Sequence, residues 1–256
     1  MIVFRDLHKA FKEKEVLRGF SLEVPEGETT VVIGYSGSGK SVALKHVVGL
    51  IDPDRGEVEV DGKIVHRQDR DGLMQLRTSI GFVFQFAALF DSMTVRDNLL
   101  LGLKRRNLAQ REMDERVQES LALVDLEGVD DKYPAELSGG MRKRVGLARA
   151  IALKPRYILY DEPTTGLDPV TSSVINQLMV RTREKLGVTG IVVTHDMQSA
   201  YTVGDRIAML YEGTIRQVGT VEQIQRTHDP IVRQFIEGRP EAADAAEAAA
   251  RAGGGA

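Results

Sequence analysis

Residues 34–41 read GYSGSGKS, which fits the pattern G-x-x-x-x-G-K-[ST]. Glycines at this spacing let backbone N–H groups approach phosphate oxygens, Lys40 adds positive charge at the terminal phosphates, and Ser41 offers a hydroxyl to Mg²⁺. A second group of candidates closes the apolar run RYILYDEP, where Asp161 and Glu162 are adjacent carboxylates. Strand side chains alternate faces, so the two cannot do the same job. Asp161 suits the Mg²⁺ shell, directly or through water, and Glu162 suits orienting and deprotonating an attacking water. A solvated acidic turn is the competing reading. His195 ends the run TGIVVTH, where an imidazole could meet a γ-phosphate. A lone histidine at a strand end is more often surface or core filling, so it gains meaning only beside the other motifs. Gln85 follows GFVF and can place an amide at the metal and water. Phe11, ahead of the glycine loop, either stacks on an adenine ring or fills the core.

A further stretch, LSGGMRKRVGLARA from Leu137 to Ala150, starts like a loop and becomes a helix. Val145, Ala148 and Ile151 fall on one helical face, and Ser138, Gly139 and Gly140 precede it. A hydroxyl, bare backbone and an open helix N-terminus make an anion site. The chain thus carries two phosphate-binding helix starts. Arg142, Lys143 and Arg144 are expected to face solvent, with contacts to a partner as the lesser reading.

These residues need elements to position them. TTVVIG (Thr29 to Gly34) reads as a strand into the glycine loop, and Lys40 to Leu50 as a helix closed near Gly49. EVEVDGKIV alternates around Asp61-Gly62, a hairpin signal, and GFVFQ is a short strand. Helical spacing runs from about Thr94 to Tyr133, with Val117, Leu121 and Val124 on one face. RYILY and TGIVVT are nearly continuous apolar runs, as expected of parallel strands covered on both faces. YEGTIRQVG suggests a final hairpin and VEQIQRTHDPIVRQFIEG a helix. Beyond Gly238, residues 239–256 hold no apolar side chain larger than alanine and are expected to be disordered or transiently helical.

Composition bounds the reading. A chain of 256 residues with 42% hydrophobic content can bury a full core. The net charge of −3 gives no global basic field for nucleic acid or anionic lipid. The absence of cysteine excludes thiol chemistry and disulfides. No apolar run approaches the roughly 20 residues that span a bilayer. No signal peptide is visible at the start, and the expectation is a soluble cytoplasmic protein.

In order and spacing, GYSGSGKS, Gln85, LSGGM, YILYDEP, TGLDP and TH together resemble the nucleotide-binding subunit of ABC transporters. The resemblance covers residues 1–238. It implies an α/β fold: a RecA-like P-loop ATPase core, an antiparallel β subdomain and an α-helical signature subdomain at about 86–141. It implies that Gly34, Ser36, Gly37, Ser38, Gly39, Lys40, Ser41 and Val42 bind ATP, that Phe11 stacks on the adenine, and that Ser41, Gln85 and Asp161 serve Mg²⁺. Glu162, Gln85 and His195 take catalytic positions, the last as the switch histidine. In this family two copies form a head-to-tail homodimer, so Ser138, Gly139 and Gly140 would serve the partner's γ-phosphate and Asp168 would link the two sites. Met141 replaces the usual glutamine of the signature and removes an amide. A narrower resemblance, carried by LSGGM followed by RKRV and by ALFDSMTV after Gln85, is to the ATPase of Mla-type transporters, which move phospholipids between the membranes of diderm bacteria. It implies a multispanning permease, an MCE-domain lipid-binding protein and a STAS-domain protein as partners, no nucleic acid, and a place on the inner face of the inner membrane. A non-hydrolysing regulatory subunit is the rival from another class, against which Glu162 and His195 argue.

Overall fold

The computed structural model describes residues 1–106 and 108–239. The chain opens with an antiparallel pair, β1 (Ile2–Phe11) and β2 (Lys14–Val24), before β3 (Thr29–Ile33) leads through the glycine loop into helix α1 (Lys40–Val47). The hairpin β4 (Arg55–Val60) and β5 (Lys63–Ile64) turns at Asp61-Gly62, both with positive φ. Helix α2 (Arg70–Thr78) and β6 (Ile80–Val83) follow, then α3 (Val95–Leu103), α4 (Gln110–Leu123) and α5 (Gly139–Ala152). The remainder alternates: β7 (Tyr157–Asp161), α6 (Pro169–Leu186), β8 (Thr189–Thr194), α7 (Met197–Val203), β9 (Arg206–Tyr211), β10 (Thr214–Thr220), α8 (Val221–Gln225) and α9 (Pro230–Ile236).

A six-stranded sheet has the order β10-β9-β3-β8-β7-β6, parallel except for β10, and a four-stranded antiparallel sheet has the order β2-β1-β4-β5. Every residue of β3, β7 and β8 is buried, as their unbroken apolar runs require of strands covered on both sides. Alternate residues of these strands feed two separate cores. Val31, Ile33, Ile158, Tyr160 and Val192 enter a core with the helices α3 to α7, whereas Val32, Tyr157, Leu159, Ile191 and Val193 enter one with α1 and the antiparallel sheet. The parallel sheet is thereby held from both faces, and the loops at the C-terminal ends of its strands have a rigid base.

Two expected helices are each divided. The stretch from Thr94 forms α3, capped by Thr94, and then α4, because Arg106 donates to the Thr78 carbonyl at 2.5 Å and ties the intervening turn to the end of α2. Residues 124–133 are turns rather than helix, and Pro134 keeps Tyr133 extended. The C-terminal stretch forms α8 and α9 instead of one helix. Pro230 bars a continuous ladder, and the Asp229 carboxylate caps the new start by accepting from Ile231 N and Val232 N at 3.0 and 3.1 Å. The expectation for the alanine- and glycine-rich tail falls on residues beyond Arg239, outside the described residues.

Candidate nucleotide-binding and catalytic site

The glycine loop joins β3 to α1 at the C-terminal edge of the sheet. Its turn needs bare backbone at both ends: a Cβ on Gly34 would come within 2.5 Å of the Leu210 carbonyl oxygen, and Gly39 sits in the left-handed region at φ +106 with Val16 packed against it. Lys40 is buried, and its ammonium donates to the carbonyls of Gly34 at 2.8 Å and Tyr35 at 3.0 Å. Burial pulls its pKa below the ordinary lysine value, opposed by Glu162 and Asp161. Ser41 Oγ donates to Asp161 Oδ1 at 2.5 Å, which links the loop to the end of β7.

Asp161 is the last residue of β7, and Glu162, the first residue past it, leaves the strand. Asp161 is buried, and desolvation pushes its carboxyl above the ordinary range against the Ser41 hydrogen bond. Glu162 has left-handed backbone, φ +49, an uncommon conformation for a side chain of this size. This turns its carboxylate across the sheet end. Oε2 lies 2.9 Å from His195 Nδ1 and accepts from Thr165 Oγ1 at 3.0 Å, while Oε1 lies 3.8 Å from Lys40 Nζ.

A cleft of about 460 Å³ collects these residues from distant segments: Ser36, Gly37, Gly39, Lys40, Ser41 and Val42 of the loop and α1, then Gln85, Glu162, Thr165 and His195, with Val16 on one wall. Asp161 is buried and the Glu162 side chain nearly so, which does not fit a solvated acidic turn, whereas His195 is exposed at the surface and lines the cleft there beside Glu162. Gln85 lines the cleft from the loop after β6. Phe11 is 45% exposed, which removes the core reading, and the Lys9 ammonium stands 5.7 Å from its ring centroid.

The residues fit a magnesium nucleotide. Ser38 Oγ is buried without a hydrogen-bond partner among the described residues, as expected of a hydroxyl built to meet a phosphate oxygen. Ser41, Asp161 and Gln85 supply hard oxygen donors of the kind Mg²⁺ takes when it shares its shell with phosphates.

The signature residues stand apart from this cleft. Ser138 caps α5, its Oγ accepting from Met141 N at 3.2 Å. A Cβ on Gly139 would meet nothing within 4 Å, whereas one on Gly140 would approach Thr171 Cγ2 to 2.7 Å. The first turn of α5 therefore packs against that of α6, which Asp168 caps by accepting from Thr171 N at 2.9 Å. None of Ser138, Gly139, Gly140 and Asp168 lines the glycine-loop cleft.

Lys143 corrects the sequence reading. Arg142 is exposed, but Lys143 is buried, and its ammonium donates to the backbone carbonyl of Gln85. Burial lowers its pKa, with Glu162 opposing. Two turns on, Arg149 donates to the carbonyls of Ala87 at 2.9 Å and Ala88 at 2.6 Å, both residues with positive φ. Two cations of the signature helix thus hold the loop that carries Gln85. In sequence, RKR looked like a solvated run, and nothing marked its middle member as buried.

The profile of the ABC transporter family matches residues 17–165. The chain is 40% identical over 239 residues, 93% of its length, to the probable ribonucleotide transport ATP-binding protein mkl of Mycobacterium leprae. It spans 69% of that protein and 65% of its Mycobacterium tuberculosis namesake, about two thirds of the curated relatives' length. It is also 40% identical over 259 residues to the Arabidopsis thaliana chloroplast protein TRIGALACTOSYLDIACYLGLYCEROL 3, covering 93% of this chain and 74% of that one. A solved dimeric ATP-binding cassette in a post-hydrolysis state with ADP and Pi superposes with a TM-score of 0.79 at 36% identity, over 86% of this chain and 99% of that one. With this fold and this cleft, the chain belongs to the ABC transporter family and carries its ATPase cassette.

Proposed function

We propose that this chain binds and hydrolyses ATP to power transport of phospholipid between bacterial membranes through a partner permease. The observation that carries the hydrolytic part is the contact of Glu162 with His195 at 2.9 Å, beside Lys40, in one cleft. In this reading the loop N–H groups and Lys40 hold the phosphates, and Phe11 stacks on the base. Ser41, Gln85 and Asp161 would hold Mg²⁺, which would supply positive charge to the phosphates. Glu162 orients the attacking water and takes its proton, and His195 keeps the carboxylate aimed while facing the γ-phosphate.

Separation of the signature from the cleft supports a head-to-tail homodimer. Ser138, Gly139 and Gly140 present an open helix N-terminus that the chain's own nucleotide does not use, so a second copy's γ-phosphate is its natural ligand. Asp168, at the adjoining helix start, would link the two composite sites. No helix among the described residues is long and apolar enough to cross a membrane, and in this reading the partner permease makes the crossing. Phe86, 84% exposed, and the exposed Phe90 offer that partner an apolar surface beside Gln85.

The phospholipid assignment rests on kinship: the LSGGM-RKRV and ALFDSMTV segments, and a relative named after a galactolipid. MCE-domain and STAS-domain partners belong to the same reading. The name of the mycobacterial relative favours a second reading, ribonucleotide transport. Purification of the native complex with its partners, followed by mass spectrometry of bound small molecules, decides between them. Co-purifying phospholipid with an MCE-domain protein supports the first reading. Nucleosides or nucleotides bound to the permease would replace it with the second.

A further inference from the structure

Tyr35, the second residue of GYSGSGKS, is not among the residues lining the cleft. Its ring turns the other way and meets Phe235 of α9 edge to face, with centroids 5.0 Å apart and planes at 83°. The ring of Tyr211, at the end of β9, closes the group at 6.3 Å from Tyr35. The backbone of Tyr35 faces the site. Its carbonyl accepts from Lys40 Nζ at 3.0 Å and from Ser38 N at 3.2 Å. One residue therefore has its side chain held by the C-terminal helix and its carbonyl bonded to the phosphate-binding lysine.

The helix is itself well anchored. Val232 is fully buried in the core, Asp229 caps the first turn, and Arg216 of β10 donates to Asp229 Oδ2 at 2.8 Å. Phe235 thus stands on a base fixed to the sheet, more than 190 residues along the chain from the loop it touches. Loops rich in glycine have few side chains with which to hold their own shape. GYSGSGKS has one aromatic side chain, and that chain is clamped.

We propose that Phe235 is a positioning residue for nucleotide binding: through Tyr35 it holds the glycine loop in the shape that presents Lys40 and the loop N–H groups to the phosphates. This rests on the reading of the cleft as the ATP site. The C-terminal helix, outside every nucleotide-binding motif, then sets ATP affinity.

The test is equilibrium binding of a fluorescent ATP analogue, with Mg²⁺, to the full purified chain. Phe235→Ala and Tyr35→Ala are each expected to raise Kd on the order of twofold to tenfold, the range an aromatic pair commands. The double variant should lose no more than the worse single one, because both break the same contact. Phe235→Tyr keeps the ring and should stay within about twofold of the parent. Val232→Ala, in the same helix, should lower the melting temperature yet leave Kd within about twofold, which separates positioning from mere loss of helix stability. If Phe235→Ala does not fold, Phe235→Leu replaces it in the same comparison. An unchanged Kd in folded Phe235 variants, additive losses in the double variant, or an equal rise for Val232→Ala each overturns the proposal. Lys40→Ala is the separate control. If it binds the analogue as the parent does, the reading of the cleft fails, whatever Phe235 does.

Discussion

The Glu162 carboxylate lies 2.9 Å from His195 Nδ1, although the two residues follow different strands, β7 and β8. Parallel neighbours in register place Asp161 against Val193 and so bring the two strand ends side by side. The left-handed backbone at Glu162 then swings its side chain toward His195 and Lys40 instead of continuing the strand. A carboxylate held between an imidazole and an ammonium is fixed in direction, which a base acting on one water molecule requires.

Glu162→Gln is expected to keep ATP binding and lose turnover. The amide can hold a water but cannot take its proton, a loss that typically amounts to about 10²- to 10⁴-fold. Single-turnover hydrolysis and nucleotide retention on the same preparation check this. Near-normal hydrolysis would remove Glu162 from the role of base.

Lys143→Met should uncouple the signature helix from the loop that carries Gln85. The change keeps the buried stem but leaves the partly buried Gln85 carbonyl without its donor, at a cost of about 1 kcal/mol. The expected result is a lowered melting temperature and reduced turnover with ATP affinity retained. An unaltered melting temperature would mean that water replaces the ammonium at no cost.

Much of this site was legible in the sequence because its chemistry is local. The glycine loop needs bare backbone within eight residues, and the adjacent carboxylates Asp161 and Glu162 close an apolar run, although the left-handed backbone that aims Glu162 has no mark in the sequence. The runs TTVVI, YILYD and TGIVVT could only be buried on both faces, and they are. What stayed hidden depends on partners far along the chain. A lysine in RKR gives no sign that it will reach Gln85, and no periodicity connects Phe235 with Tyr35. The division of α8 from α9 was visible in principle, since Asp229-Pro230 is a cap followed by a residue suited to a helix start.

The apolar side chains after Gln85 should carry permease docking. Phe86 and Phe90 are exposed, Met93 is half-buried, and Asn98 holds the turn between them by bonding the N–H and carbonyl of Phe90 and the carbonyl of Met93. Aromatic anchors on a rigid turn are the usual centres of binding energy, each costing about 2 kcal/mol or more when lost. Phe86→Ser with Phe90→Ser should weaken co-purification with the permease at unchanged melting temperature and nucleotide affinity. Undiminished association would assign docking to another face.

The isolated signature helix start makes the strongest test, because it predicts a specific complementation. Lys40→Ala weakens the glycine loop, and Ser138→Arg blocks the signature while also removing the α5 cap, so each variant is first checked for folding. Either homodimer has both composite sites damaged. In a mixed dimer the sound loop of the Ser138→Arg chain faces the sound signature of the Lys40→Ala chain, leaving one site intact and the other doubly broken. With Glu162→Gln added to both chains to prevent hydrolysis, verified mixed dimers should trap up to one ATP each, while the parents trap little. Turnover is the wrong measure here, since it requires the base that has been removed and the cooperation of both sites. If mixed dimers trap no more ATP than the parents measured separately, the site is not shared between chains. Ser138 would then act only as the cap of its own helix.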